Sequence, residues 1–366
     1  MHVALNLVFL VPGETGGMET YARELIPRLA AIDGVRLTAL VNREAADEDF
    51  GCDRLVVPVR ARNRIDWVRG EQQHVWRMAD RAGADVLHSL GSTAPLLGGA
   101  RRVTTIHDLN YKLVPETHFG LRGLGMRALV PAAARRSHRI IVDAASTKRD
   151  LVEHLGTVGD KIDVVPLAAG PPQVAPVPEE ALRAGLRLGT RPVVLSASAK
   201  RPHKNIAGLL EALARIPIDR RPVLVVPGYP TPYEAELRAM AAGLGVRDDV
   251  VFPEWLEAAD LEGLYALAAC VVVPSLYEGF GLPVLEAMVR GVPVACSDRS
   301  SLPEVAGDAA LLFDPEDVVA IASAIERLVG DRELADRLAR AGRERAASFS
   351  WDRTATQTVE SYRRAL

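Results

Sequence analysis

Short runs of β-branched and aliphatic residues alternate, along almost the whole chain, with stretches whose apolar positions recur at helical spacing. That rhythm predicts parallel strands joined by helices that cover both faces of each sheet, an α/β architecture. In the first half the expected strands fall at 2–10, 35–41, 54–58, 84–88, 102–106, 139–142 and 162–165, with a helix over 19–31 after Gly16-Gly17. The rhythm lapses at 168–180, AAGPPQVAPVPEE, which is proline-rich and aperiodic and reads as a linker. It restarts with strands at 192–197, 222–227, 249–252, 270–273, 293–296 and 310–312, and with helices near 205–215, 233–243, 259–268, 283–290, 316–329 and 331–347. A closing segment, FSWDRTATQTVESYRRAL, puts Trp351 and Tyr362 on one last helix. The expected fold is two Rossmann-like, doubly wound domains facing across a cleft, at 1–170 and 175–349.

One stretch interrupts the alternation in an informative way. PSLYEGFGLPVLEAM at 274–288 follows the buried-strand pattern Cys270-Val271-Val272-Val273 and holds two carboxylates, Glu278 and Glu286, around a Gly-Phe-Gly turn. Pro283 suits the first position of a helix, so the amides of Gly281 and Leu282 should lie where the helix dipole favours an anion. Glu278 then sits at a strand's carboxyl end and Glu286 in the first helical turn. Alone, Glu286 reads as a helix-end glutamate complementing the dipole; Glu278, in a glycine-rich loop beside an aromatic, has no capping role to fill. Two carboxylates beside an anion site suit the hydroxyls and phosphates of a nucleotide sugar.

At 366 residues, with 48% apolar and 25% charged residues, the chain is long enough for two ordinary globular domains. The formal charge of −3 gives no global argument for nucleic acid. Only five of the 44 basic residues are lysines, and two of them fall in one loop, SASAKRPHKN at 196–205. There Lys200, Arg201 and Lys204, with His203 between them, crowd the end of the second domain's first strand, where phosphates bind in doubly wound sheets. The alternative is a solvated basic turn. Cys52, Cys270 and Cys296 are odd in number and far apart, which disfavours disulfides or a cysteine metal site and points to a reducing, cytoplasmic setting. Neither a leader peptide nor a membrane span is expected of the apolar run at 3–11.

The first domain offers weaker signals. TTIHDLN at 104–110 places His107 and Asp108 after a strand, where the histidine is either substrate-facing or a satisfied structural residue. PGETGGMET at 12–20 allows close backbone approach at Gly16 and Gly17, without the glycine fingerprint of a nicotinamide enzyme. Asp47-Glu48-Asp49 lies in a polar segment with no strand end to aim it, so a charged loop is expected rather than a metal site. HExxH, GxSxG and P-loop patterns are absent, which disfavours proteases, α/β hydrolases and kinases. Two basic stretches remain: Arg60, Arg62, Arg64 and Arg69 around Trp67, and Arg122, Arg127, Arg135, Arg136 and Arg139 with Leu121, Leu124, Met126 and Leu129. These are either solvated helix faces or segments that dock on an anionic membrane to reach a lipid-linked acceptor.

These residues resemble the family 4 retaining glycosyltransferases of GT-B fold, most densely over 248–307, where EGFGLPVLE looks like the family's Glu-x7-Glu motif. Further similarity lies in GGMETYARELIPRLA at 16–30, VTTIHDLNYKLVPE at 103–116, STKRDL at 146–151, KRPHKN at 200–205 and the closing FSW. The resemblance implies that Glu286 holds the ribose hydroxyls and that Glu278 meets the transferred sugar, with the amides of Gly279, Phe280, Gly281 and Leu282 at the sugar and its diphosphate. It implies Lys204 as the diphosphate lysine, His107 as the first-domain histidine facing the sugar, Gly16 and Gly17 as the loop approaching donor and acceptor, and a C-terminal helix, 350–366, returning to the first domain. Three departures stand out. Ser198-Ala199 replaces a frequent Gly-Arg, so that either Lys200 or Arg201 takes the second cation's place; Asp143-Ala144 replaces Val-Ser; and Glu254 stands where glycine is usual.

The expectation is therefore metal-independent, retaining transfer of a sugar from a UDP-, GDP- or dTDP-sugar to a hydroxyl acceptor, with no cofactor beyond that co-substrate and no nucleic-acid partner. Cell-surface polysaccharide, glycolipid or natural-product glycoside synthesis would be its setting. The alternatives are a nucleotide-sugar epimerase of the same fold and a noncatalytic sugar-nucleotide binding protein. Glu-x7-Glu argues against the first; the combination of both glutamates, Lys204 and His107 argues against the second.

Overall fold

A computed structural model describes the backbone of residues 1–114, 120–253 and 256–366, and their side chains apart from 120–124. Glu254, Leu121, Arg122 and Leu124 lie outside the described residues or side chains. The chain forms two compact units, Met1–Leu167 with Ser350–Leu366, and Ala168–Phe349. In the first, β1 (His2–Leu7), β2 (Arg36–Val41), β3 (Asp53–Val56), β4 (Val86–Ser89), β5 (Arg101–Thr105), β6 (Arg139–Val142) and β7 (Ile162–Val164) form a parallel seven-stranded sheet in the order β3-β2-β1-β4-β5-β6-β7. In the second, β8 (Val193–Leu195), β9 (Val223–Val225), β10 (Val250–Val251), β11 (Ala268–Val273), β12 (Val294–Ser297) and β13 (Ala310–Phe313) form a parallel six-stranded sheet in the order β10-β9-β8-β11-β12-β13. Both are Rossmann-like sheets with alternating helices. In each, the strand order reverses beside the first strand, between β1 and β4 and between β8 and β11. Loops leaving those strand ends are where such sheets bind ligands.

Helix Ile206–Arg215 shows why the second sheet is covered as it is. Ile206, Leu209, Leu210 and Leu213 recur at helical spacing and are fully buried in one cluster with Val194, Leu224, Val272 and Ala295. Each such side chain contributes about 1.5–3 kcal/mol on burial. Asn205 starts the helix, its Oδ1 accepting from the Gly208 amide at 3.3 Å. The closing helix, Trp351–Ala365, packs within the first unit: Thr354 Oγ1 donates to the Pro166 carbonyl at 2.7 Å, and the Tyr362 hydroxyl meets His88 Nδ1 at 2.7 Å.

Three sequence expectations change. Strand pairing of β1 stops at Leu7 rather than at residue 10; Val8 to Leu10 turn, with the Leu10 amide donating to the Leu7 carbonyl at 3.0 Å. These residues stay fully or almost fully buried, and a continuous apolar run does not distinguish a buried strand from a buried turn. The aperiodic stretch at 168–180 ends inside a helix, Glu179–Leu186, capped by Pro178 and acidic in its first turn. Trp67 is no exposed membrane anchor: it is 8% exposed beneath the Arg64 guanidinium, 5.6 Å from its ring, while Arg62 pairs with Glu14 at 2.5 Å and Arg69 with Asp66 at 2.7 Å. Among the described residues no helix is long and apolar enough to cross a membrane.

Candidate functional site

The strand reversal between β8 and β11 brings the basic loop and the two-glutamate loop together. Lys204 Nζ donates to both carboxylate oxygens of Glu278, at 2.7 and 2.8 Å, and the backbone ties the loops through the Leu276 amide on the His203 carbonyl at 2.8 Å. The Ser275 hydroxyl adds a bond to Glu278 Oε1 at 2.7 Å. Burial pushes the Glu278 carboxyl up, but the Lys204 charge, the hydrogen bond from Lys204 and the Ser275 hydroxyl outweigh it and hold the group below the ordinary carboxylate range.

The turn after Glu278 is fixed from β12's side. Ser300 Oγ donates to the Glu278 carbonyl, and Ser301 Oγ donates to the carbonyls of Glu278 and Phe280 at 3.0 and 2.7 Å. Gly281 caps helix Leu282–Val289 at φ 105°, and a Cβ there would meet Leu302 Cδ2 at 2.6 Å, so the position excludes other residues on two counts. The Phe280 ring packs on Phe349 at 5.9 Å between centroids, leaving its backbone, with Gly279 and Leu282, at the helix start. Pro283 is the second helical residue and Glu286 the fifth, one turn along. Glu286 is half-buried and accepts the Tyr265 hydroxyl at 3.0 Å. Burial raises its carboxyl above the usual value, against the Tyr265 bond and the Arg290 charge, because Arg290 is committed to Glu262 at 2.7 Å and to the face of Tyr265 at 4.7 Å.

The two cations left open by the sequence separate cleanly. Lys200 is fully buried, donating to the Gly228 carbonyl at 2.7 Å and pairing with Glu234 at 3.3 Å. It builds the loop. Arg201 is half-buried and, among the described residues, its side chain makes no hydrogen bond or ion pair. Ser198 stands half-buried in the same loop, its carbonyl so close to Gly228 that a Cβ there would lie 2.4 Å away.

In the first unit Gly16 caps helix Gly17–Ala30 at φ 62°, and Gly17 is exposed. His107 lies at the end of β5 with both ring nitrogens engaged: Nδ1 meets Asp143 Oδ2 at 2.7 Å and Nε2 meets the Leu90 carbonyl at 2.9 Å. Burial alone would lower its pKa, but the Asp143 carboxylate beside it raises it above the ordinary histidine value. The Tyr21 ring stands edge-on to it, centroids 5.1 Å apart. Behind lies His88, bonded to Tyr362 and to Thr105 Oγ1 at 2.8 Å; burial, with the His107 charge adding to it, pushes its pKa down to about 3. Among the described residues no group of three or more His, Cys, Asp or Glu is placed to hold a metal ion.

The second unit thus gathers Ser198, Arg201, Lys204, Glu278, Gly279, Phe280, Gly281, Leu282 and Glu286 around one strand reversal. The first holds Gly16, Gly17 and His107. Sequence reasoning passed over Tyr265, Ser275, Ser300 and Ser301. The serines carry a weak signal, three residues before Glu278 and immediately after β12; Tyr265 carries none, since an aromatic on a helix ordinarily reads as core.

Two Rossmann-like parallel sheets in one chain define the GT-B class of glycosyltransferase fold. Sucrose-phosphate synthase from Thermosynechococcus elongatus shares it at a TM-score of 0.79, with 23% identity over 99% of this chain and 98% of that one. Anabaena Alr3699/HepE in complex with UDP-glucose matches at 0.76, with 20% identity over 98% of each chain. The protein belongs to glycosyltransferase family 4: the Glycosyltransferase Family 4 model matches residues 15–169 and the Glycosyl transferases group 1 model matches 178–345. It is 33% identical over 268 residues to O-antigen chain mannosyltransferase B of Escherichia coli, covering 72% of this chain and 70% of that protein. It is 32% identical over 254 residues to the MMP alpha-(1->4)-mannosyltransferase of Mycolicibacterium hassiacum, covering 67% of this chain and 58% of that one.

Proposed function

We propose that this glycosyltransferase moves a mannosyl group from a nucleoside-diphosphate donor to a hydroxyl acceptor, with retention at the anomeric carbon and without a metal. The observation that carries the reading is Lys204, held by Glu278 at the strand reversal beside the helix start at Gly281 and Leu282. A fixed cation and a helix N-terminus together suit the charge that develops on a departing diphosphate. Arg201 supplies the second cation. Glu286 takes the ribose hydroxyls, as an acceptor already held in place by Tyr265. Glu278 serves twice, positioning Lys204 and meeting the sugar.

In the step itself the bond from C1 to the diphosphate oxygen breaks and the acceptor oxygen bonds to C1 on the same face. The acceptor's proton passes to the departing phosphate oxygen. The mannosyl assignment is supported by the names of the two relatives, and retention by family membership. For the acceptor, the reading includes a lipid-linked saccharide, approached through the exposed Arg127, Arg135 and Arg136 of helix Gly120–Arg136. Failure to float with anionic vesicles would remove that part.

A thermal-shift panel of uridine, guanosine, thymidine and adenosine diphosphates and their sugars tests the donor. A rise for one nucleotide and its mannosyl conjugate, lost in Glu286→Ala, is the expected result; a flat panel contradicts the reading, and a rise confined to another sugar's conjugate contradicts its mannosyl part. The anomeric proton coupling in the product reports retention, and activity undiminished in EDTA reports metal independence.

A further inference from the structure

We infer that Asp143 is a positioning residue that keeps His107 protonated, so that the ring holds a fixed positive charge and never acts as the base of the transfer. The inference rests on the glycosyltransferase reading above for its consequence, and on geometry for its substance. The two groups facing the ring nitrogens, the Asp143 carboxylate at 2.7 Å and the Leu90 carbonyl at 2.9 Å, accept hydrogen bonds. A backbone carbonyl has no proton to give, so Nε2 carries hydrogen, and the contact with Asp143, which raises the ring's pKa against burial, favours hydrogen on Nδ1 as well. The pair as a whole is neutral, which avoids the cost of an isolated buried charge.

The surroundings reinforce the arrangement. Asp143 is 2% exposed, and its other oxygen, Oδ1, is buried without a hydrogen-bond partner, so the imidazolium is its one charge partner among the described residues. Every titratable neighbour of the ring fits the same state. His88, packed behind it, is held neutral; Tyr21 on helix Gly17–Ala30 is pushed up by burial and by Asp143; Asp108, on the ring's own loop, turns back to its Asn110 amide at 3.0 Å and adds a further favourable charge. A ring with no lone pair cannot take the acceptor's proton, which leaves that proton to the departing phosphate.

Nitrogen NMR of histidine-labelled protein, with the His107 signals assigned by their loss in His107→Gln, tests the charge state without any need for turnover. Both ring nitrogens should read as protonated at pH 7.5 in the wild type, and the ring should read as neutral in Asp143→Asn; a neutral wild-type ring overturns the inference. The kcat/KM profile tests the consequence. Asp143→Asn should match the wild type near pH 5.5 and then fall about tenfold per pH unit once its lowered pKa is passed. A profile parallel to the wild type at every pH, whether equal or uniformly reduced, overturns the positioning role. Asp143→Ser, which removes the carboxylate differently, should repeat the pattern. A wild type inert with every donor would refute the transfer reading while the NMR result stood.

Discussion

Each sheet ends in a buried ion pair of opposite character. Lys204–Glu278 in the second unit and His107–Asp143 in the first are both 2.7 Å contacts between loops that leave neighbouring strands. In both, the partner's charge overcomes burial: Glu278 is held below its ordinary range and His107 above. They differ in what is left to offer. Lys204 has three N–H donors, and those it uses go to the two oxygens of one carboxylate. His107 has its two nitrogens on two separate acceptors. On the proposed function the first arrangement presents a cation that an incoming diphosphate would share, and on the inference above the second locks one in place. The two pairs are alike in ion-pair distance and differ in whether one acceptor group or two take up the cation's donors.

Lys204→Met should break this contrast most strongly. Loss of one donor to a developing anion costs about 10²–10³-fold in kcat, and the stranded Glu278 carboxylate adds about 3–5 kcal/mol of instability. Glu278→Gln, which leaves the lysine an amide oxygen, should lower activity with a smaller loss of stability. Glu286→Gln separates binding from folding: donor affinity should drop about tenfold, or about 1.4 kcal/mol, while the melting temperature rises, because a carboxyl whose pKa is raised on folding destabilises the native state once ionised.

The stability profile should show the two pairs in separate pH windows. Glu278, depressed on folding, contributes stability that is present above about pH 4.5 and lost as pH falls through its folded value; Lys204→Met should abolish that acid-side dependence. His107, raised on folding, contributes stability that is full below about pH 6.5 and lost as pH rises through its folded value; Asp143→Asn should abolish that alkaline-side dependence. The smallest effects come from the two neighbouring cations. Arg201→Ala should raise the donor KM a few-fold at unchanged melting temperature, whereas Lys200→Ala should destabilise the loop through Gly228 and Glu234 and shift KM only through that loss.

Each of the thirteen strands among the described residues overlaps an expected apolar run; central strands such as β1, β8 and β11 leave a near-continuous hydrophobic signature because both faces are covered, whereas the edge strand β3 is exposed along its length and was legible only from Leu55 and Val56. Shorter helices were less so. Glu179–Leu186 hides behind prolines, and Arg64–Gly70 is broken by a π-turn, so neither displays a full period. The two-glutamate loop was readable because Gly281 and Pro283 punctuate it in a way that few conformations satisfy. The pairing of Lys204 with Glu278 was not, since 74 residues separate them and only the β8–β11 reversal joins them. Asp143 was visible as a departure, a carboxylate where a small apolar residue is frequent, but its partner emerges only from the adjacency of β5 and β6. The burial of Trp67 was not legible, since the flanking arginines do not tell from the sequence that Arg64 covers the ring.

Calorimetric titration of the donor's nucleoside diphosphate into wild type and Lys204→Met, both in EDTA, tests the central claim without an acceptor. The account predicts saturable binding to the wild type in the absence of metal and at least tenfold weaker binding to a folded Lys204→Met. Equal affinity for the two proteins, or wild-type binding that appears only when a divalent metal is added, would contradict it.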